Sequence, residues 1–145
     1  MSDIRLRSAE PADLPELERV ITSAYAAERA RLSGIPDVTD GLDAHIRDDI
    51  VHLAERAGRV LGVIVLIRKE AALLVANLAV SAEAQGTGIG GRLMQMAEDA
   101  AREMGYARMT LRTHVGLSGT RRFYVALGWD ETGVSGQVVS MQKTL

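Results

Sequence analysis

One stretch of this 145-residue chain narrows its possible folds more than any other. An apolar run from Leu73 to Val80 leads into Gln85-Gly86-Thr87-Gly88-Ile89-Gly90-Gly91, which opens an amphipathic run from Ile89 to Met104. Strand, glycine-rich turn and helix in that order make an anion cradle. Glycine permits the backbone to turn its N–H groups inward, and the helix adds partial positive charge at the same point. The helix positions Ile89, Leu93, Ala97, Ala100 and Met104 fall at spacings of 4, 4, 3 and 4. Gly105 stops the helix, and Glu98 with Arg102 reads as a favourable i,i+4 pair.

The rest of the chain surrounds this unit with short elements. Ile4 to Arg7 alternates as a first strand. Leu14, Leu17, Ile21, Ala24 and Glu28 form a helical stripe, with Asp13 as its N-cap and Pro15 in the first turn. Residues 34–41 carry loop breakers, and Asp43 to Ile50 predicts a second short helix. Val51–Glu55 and Arg59–Ile67 form a hairpin around Ala57-Gly58, its second strand apolar enough to be covered on both faces. Arg108 to Arg112 is a further strand, Thr120 to Leu127 a short helix ended by Gly128, and Gln137 to Leu145 a last strand. The order β-α-α-β-β-β-α-β-α-β predicts a mixed α/β domain with an early antiparallel meander.

Composition removes several function classes. Net charge is −2 with both signs interspersed, which argues against a nucleic-acid face. There is no cysteine for a disulfide, thiolate nucleophile or cysteine zinc site, and the three histidines lack metal-ligand spacing. No apolar run approaches the roughly 20 residues of a membrane span, and residues 1–5 lack a signal-peptide core. The expectation is a soluble cytoplasmic protein, one domain over residues 1–145, without membrane, nucleic-acid or metal partners.

Three phosphate-binding readings compete for the glycine turn. A P-loop requires a lysine after its last glycine, and none is present. Gly86-Thr87-Gly88-Ile89-Gly90-Gly91 matches a dinucleotide fingerprint in form, but it follows a meander and lacks an acid about 20 residues on. The third is Gln/Arg-x-x-Gly-x-Gly/Ala, which Gln85 to Gly90 fits at every position. Glycines that serve only a tight turn and helix packing are the alternative to all three.

Arg122-Phe123-Tyr124-Val125-Ala126-Leu127-Gly128-Trp129 follows about thirty residues later. With both motifs in place, the chain resembles the GNAT superfamily of acetyl-coenzyme-A-dependent N-acetyltransferases, most sharply from Leu73 to Trp129. That resemblance implies a mixed sheet of six to seven strands flanked by about four helices, antiparallel in its first half, with splayed central strands. It implies acetyl-CoA as cosubstrate, its pyrophosphate on Gln85, Gly86, Thr87, Gly88, Ile89, Gly90 and Gly91 with Arg92 as a charged contact. It also implies a pantetheine arm along Leu78, Ala79 and Val80. The Val80 N–H would polarise the thioester, and Tyr124 would be the general acid. The acetyl group would pass by direct attack, through a tetrahedral intermediate, to a primary amine of a small molecule or peptide. A homodimer is a family-level expectation.

Two departures stand out against the family pattern. Leu117 occupies the place of an asparagine common seven residues before the tyrosine, with His114, Ser118 or Thr120 as substitutes. The strand before the loop has Leu74 and Asn77 where a carboxylate base is common. A water relay, Glu28, Asp37, Asp40, Asp43 or His45 is then left to supply the base. Acetylation of a protein N-terminus or lysine, and a silent coenzyme-A-binding sensor, are the competing functions.

Overall fold

The computed structural model describes residues 3–33 and 39–145. Seven strands form one sheet in the order β1-β2-β3-β4-β5-β7-β6. They are β1 (Arg5–Ser8), β2 (Ile50–Arg56), β3 (Arg59–Arg68), β4 (Leu73–Val80), β5 (Arg108–His114), β6 (Asp130–Ser135) and β7 (Val138–Thr144). The helices are α1 (Leu14–Arg31), α2 (Leu42–Asp48), α3 (Ile89–Glu103) and α4 (Ser118–Ala126). Only β4 and β5 run parallel. Among the described residues no helix is long and apolar enough to cross a membrane.

Two cores lie on opposite faces of the sheet. Leu17, Val20 and Ile21 of α1 pack with Leu42, Leu53, Val63 and Ala79 on one face. Ile89, Leu93, Met94 and Ala97 of α3 pack with Ile64, Leu73, Leu111 and Trp129 on the other. β3, covered on both faces as its apolar run predicts, is buried from Val60 to Leu66. Gly62 lets α3 approach closely, since a Cβ there would lie 2.8 Å from Ile89 Cγ2.

The centre of the sheet is irregular, and this positions the site. Leu66 pairs with Val75 and Val65 with Asn77, so Ala76 is an extra, bulged residue of β4. Side chains switch faces across the bulge. Leu73 and Val75 belong to the α3 core, whereas two residues after Asn77 it is Ala79 that faces α1. β5 pairs with β4 only through Leu73–Val75 opposite Met109–Leu111. Beyond that point β4 stays with β3 as far as Val80, and β5 follows β7 as far as His114. The two central strands therefore splay.

Several local expectations need correction. Asp13 precedes α1 but does not cap it with its side chain. Its carboxylate takes a forked bond from Arg7 (2.8 and 2.9 Å) and accepts the Glu10 N–H at 2.7 Å, while a 3-10 turn at Pro11–Asp13 leads into the helix. The short helix α2 ends at Asp48, because Asp49 is already extended and Ile50 begins β2. The α4 helix starts at Ser118, two residues earlier than its periodicity predicts. The expected Glu98–Arg102 pair is absent. Glu98 is buried and bonds Lys143 of β7 at 2.5 Å, and Arg102 lies beside Asp99 at 3.6 Å. Strand β6 was not foreseen, since all six of its residues are exposed and show no alternation.

Lys143 Nζ also donates to the Leu127 carbonyl at 2.6 Å, joining α3, the end of α4 and β7. Lys143→Met should cost about 3–5 kcal/mol, the usual effect of leaving a buried charge unpaired. Urea denaturation would measure it, with Glu98→Gln/Lys143→Met recovering much of the loss.

Candidate active site

The splay opens a cleft of about 540 Å³ whose walls come from four places in the chain. Its floor is the end of β4, at Leu78, Ala79 and Val80. In this antiparallel ladder the Ser81 N–H bonds the Leu61 carbonyl at 2.9 Å. By alternation Ala79 faces β3, and the backbone groups of Leu78 and Val80 point to the open side. Two side chains confirm that direction. The Leu78 carbonyl accepts the Tyr25 hydroxyl at 3.2 Å, and the Val80 carbonyl lies 3.5 Å from Gln85 Nε2.

The second wall is the glycine turn, at Gln85, Gly86 and Gly88 to Gly91. Gly86 and Gly88 have φ of +81° and +83°, a conformation costly for residues with a Cβ. Gly88 is the N-cap of α3 and has no side chain to offer. The Arg92 N–H closes the first helical bond to the Gly88 carbonyl at 3.1 Å, leaving the first-turn N–H groups of Ile89, Gly90 and Gly91 without helical partners. Gly90 packs against Phe123, as a packing glycine would. Gly91 differs. It has neither positive φ nor a protein atom within 4 Å of an added Cβ, so neither turn geometry nor packing requires a glycine there.

The third wall is α4 with the residues before it, contributing Leu117 to Thr120, Phe123 and Tyr124. Tyr124 is 6% exposed and stands edge-to-face with Phe123 and Trp129, at 5.3 and 5.6 Å between centroids. Burial, and to a lesser degree Tyr25, pushes its phenol well above the ordinary value, which keeps it in the O–H form.

The α1 helix is the fourth wall, with Ala24, Tyr25, Glu28 and Arg31. Tyr25 and Arg31 are additions that sequence reasoning did not single out. The available signal was Glu28, a carboxylate ending an otherwise apolar inward stripe. Tyr25 donates one proton to either Asn77 Oδ1, at 3.1 Å, or the Leu78 carbonyl. Burial, with Glu28 nearby, pushes its phenol up to about 12.

The sequence candidates divide clearly. Leu78, Ala79, Val80, Gln85, Gly86, Gly88, Ile89, Gly90, Gly91 and Tyr124 converge on the cleft. Thr87 and Arg92 do not line it. The Thr87 hydroxyl is turned to the Ala84 carbonyl, and Arg92 is exposed on α3. Of the substitutes for asparagine, Ser118 and Thr120 line the cleft beside Leu117. His114 is committed elsewhere, with Nε2 2.6 Å from the Ser33 carbonyl and Nδ1 accepting the Gly116 N–H at 2.9 Å. Asn77 is buried, and its Nδ2 has no partner. Leu74 is half-buried on the paired part of β4. Among the proposed bases only Glu28 reaches the cleft. His45 of α2 pairs with Asp49, just past the helix, at 2.7 Å; Asp40 and Asp43 are exposed and do not line the cleft, and Asp37 lies outside the described residues.

A strand that splays from its parallel neighbour, followed by an uncapped glycine turn and a tyrosine-bearing helix, matches a known family. The sequence fits the model of the acetyltransferase (GNAT) family over residues 15–129, and the chain belongs to that family. Solved structures agree in fold. The PaiA N-acetyltransferase of Thermoplasma acidophilum, in complex with coenzyme A, superposes with a TM-score of 0.90 at 20% identity, covering 99% of both chains. A GNAT-family acetyltransferase of Staphylococcus aureus Mu50 gives 0.86 at 17% identity, again over 99% of both. One from Elizabethkingia anophelis, with acetyl-CoA bound, gives 0.74 at 17% identity over 98% of both. A search of the curated proteins finds no match.

Proposed function

We propose that this protein is an N-acetyltransferase that moves the acetyl group of acetyl-CoA to a primary amine of a small molecule or peptide. The observation that carries the reading is the meeting of three features in one cleft. These are the unpaired first-turn N–H groups of α3, the free edge of Leu78–Val80, and the Tyr124 hydroxyl. Coenzyme A and acetyl-CoA occupy two of the relatives in this fold.

The cradle fits an anion chemically. Three N–H groups, a helix N-terminus and no capping carboxylate favour a pyrophosphate. Gln85, Gly86 and Gly88–Gly91 would hold it, with Thr87 shaping the turn from behind. Arg92, exposed on α3, would add only a charge from outside the cleft. The exposed edge of β4 would pair with an amide-bearing arm as an added strand does, through Leu78 and Val80 around Ala79. Acetyl-CoA supplies an acyl carbon activated as a thioester.

The protein's own groups then act on charge and protons. As the amine attacks, negative charge grows on the acyl oxygen of a tetrahedral intermediate. The Val80 N–H faces it, a contact worth about 3–4 kcal/mol in acyl transfer. Collapse breaks the C–S bond and leaves a thiolate. A free thiol has a pKa near ~8.5 and a phenol near ~10, so donation from Tyr124 is uphill in water. Burial raises phenol and thiol alike, and it keeps Tyr124 in the O–H form that can donate as the C–S bond breaks. Tyr124 is thereby a workable acid.

Thiol release from acetyl-CoA, followed with a panel of amines and peptides, tests the whole reading. Saturable binding of acetyl-CoA without turnover on any acceptor would favour a sensor. No binding at all would overturn the family chemistry for this chain. Tyr124→Phe should lower turnover by about 10²-fold while acetyl-CoA affinity stays near wild type, measured by calorimetry. Gly88→Asp should abolish acetyl-CoA binding in the same assay, with thermal unfolding reduced only modestly, because Asp tolerates the left-handed conformation better than most residues.

A further inference from the structure

The strand that commonly carries the base has none here, and the structure offers a replacement on a different element. Among the described residues, Glu28 and Arg31 are the only charged ones lining the cleft. Glu28 sits half-buried on the inward stripe of α1, after Leu17 and Ile21 have sunk into the core and Ala24 has reached the cleft wall. Among the described residues no cation, donor or backbone N–H engages its carboxylate. Its charge is felt by Tyr25, which is bonded to β4 two residues before Val80.

Tyr25 has a constrained role. A hydroxyl carries one proton, and both acceptors within reach, Asn77 Oδ1 and the Leu78 carbonyl, belong to β4. The oxygen's remaining lone pair is left to accept an N–H from the cleft. Asn77 cannot take a proton, but it fixes this direction. An amine nitrogen against Tyr25 and Glu28 would lie over the stretch of β4 where the acetyl carbon is proposed to sit.

Building on the N-acetyltransferase reading, we propose that Glu28 is the catalytic base for an alkylamine acceptor and that Tyr25 orients the amine. Alkylamines arrive at neutral pH as R–NH3+, which has no lone pair. Glu28 takes one proton from nitrogen, giving R–NH2, and later returns it to solvent. The N–C bond forms and the C–S bond breaks. The nitrogen loses its second proton as the amide forms, and the thiolate gains one through Tyr124. The sum is one amide, one thiol and one proton released. Among the described residues, the other titratable or charged groups lining the cleft with Glu28 are Tyr25 and Arg31 from α1 and Tyr124 from α4. The end of β4, the glycine turn and residues 117–120 contribute no charge, and His114 is tied to Ser33 and Gly116.

The test compares butylamine, protonated at neutral pH, with trifluoroethylamine, which is weakly basic and already neutral there. With Glu28→Gln, kcat/KM for butylamine at pH 7 should fall by about 10²-fold or more. It should recover as pH rises and free amine forms, whereas trifluoroethylamine is nearly unaffected. Glu28→Asp should restore part of the loss, and acetyl-CoA affinity should not change. Tyr25→Phe should lower kcat/KM for both amines alike. Equal losses with both amines in Glu28→Gln, or none with either, overturn the base assignment alone. If wild type releases no thiol with either amine or with the peptide panel, the acetyltransferase reading and this assignment fail together.

Discussion

The parting of β4 from β5 after Val75 and Leu111 is the constraint on which the rest of this molecule depends. A parallel pair in mid-sheet is ordinarily buried and continuous. Here it lasts three residues on each strand and then opens, which leaves backbone donors and acceptors of Leu78 and Val80 without a ladder. Buried polar groups need partners. The chain meets that need partly from its own side chains, with Tyr25 on the Leu78 carbonyl and Gln85 near the Val80 carbonyl. The remaining N–H groups are available for chemistry. The bulge at Ala76 makes this possible by turning Asn77 toward α1 just where the opening begins.

An open seam in a sheet must be held by its surroundings. The Glu98–Lys143–Leu127 chain of bonds ties α3, β7 and the end of α4, so the glycine turn and Tyr124 rest on one frame. On the other side, His114 joins Ser33 beyond α1 to Gly116 before α4. Ser33, just after α1, is thus fastened to the β5–α4 connection across the gap.

The parts that could be read in the sequence are those governed by local rules. Leu73–Val80, the glycine turn and α3 combine strong periodicity with residues whose φ demands glycine, and they fall within a residue of expectation. Long-range pairings were hidden. Glu98 has a plausible neighbour at Arg102 and a real partner 45 residues away on β7, preferred because burial makes a lone carboxylate costly. Asp13 holds the N-cap position of α1 that the sequence predicts, but its carboxylate anchors Arg7, which also holds Glu55. The Tyr25–Asn77 contact spans 52 positions and leaves no periodic trace, so the α1 side of the cleft was visible only through Glu28. β6 carries no alternation because neither of its faces is buried.

The placement of α1 has a further consequence. Its first half is anchored in the core by Leu17, Val20 and Ile21, while its last turns overhang the cleft with Tyr25 and Glu28. Such a helix behaves as a lever whose fulcrum is remote from its working end. A change of one methylene beneath Ile21 would tilt the overhanging turns without altering a residue of the cleft. The glycine turn opens a different helix and does not follow. Core substitutions under α1 would therefore move the Tyr25–Glu28 wall of the cleft while the glycine turn keeps its place.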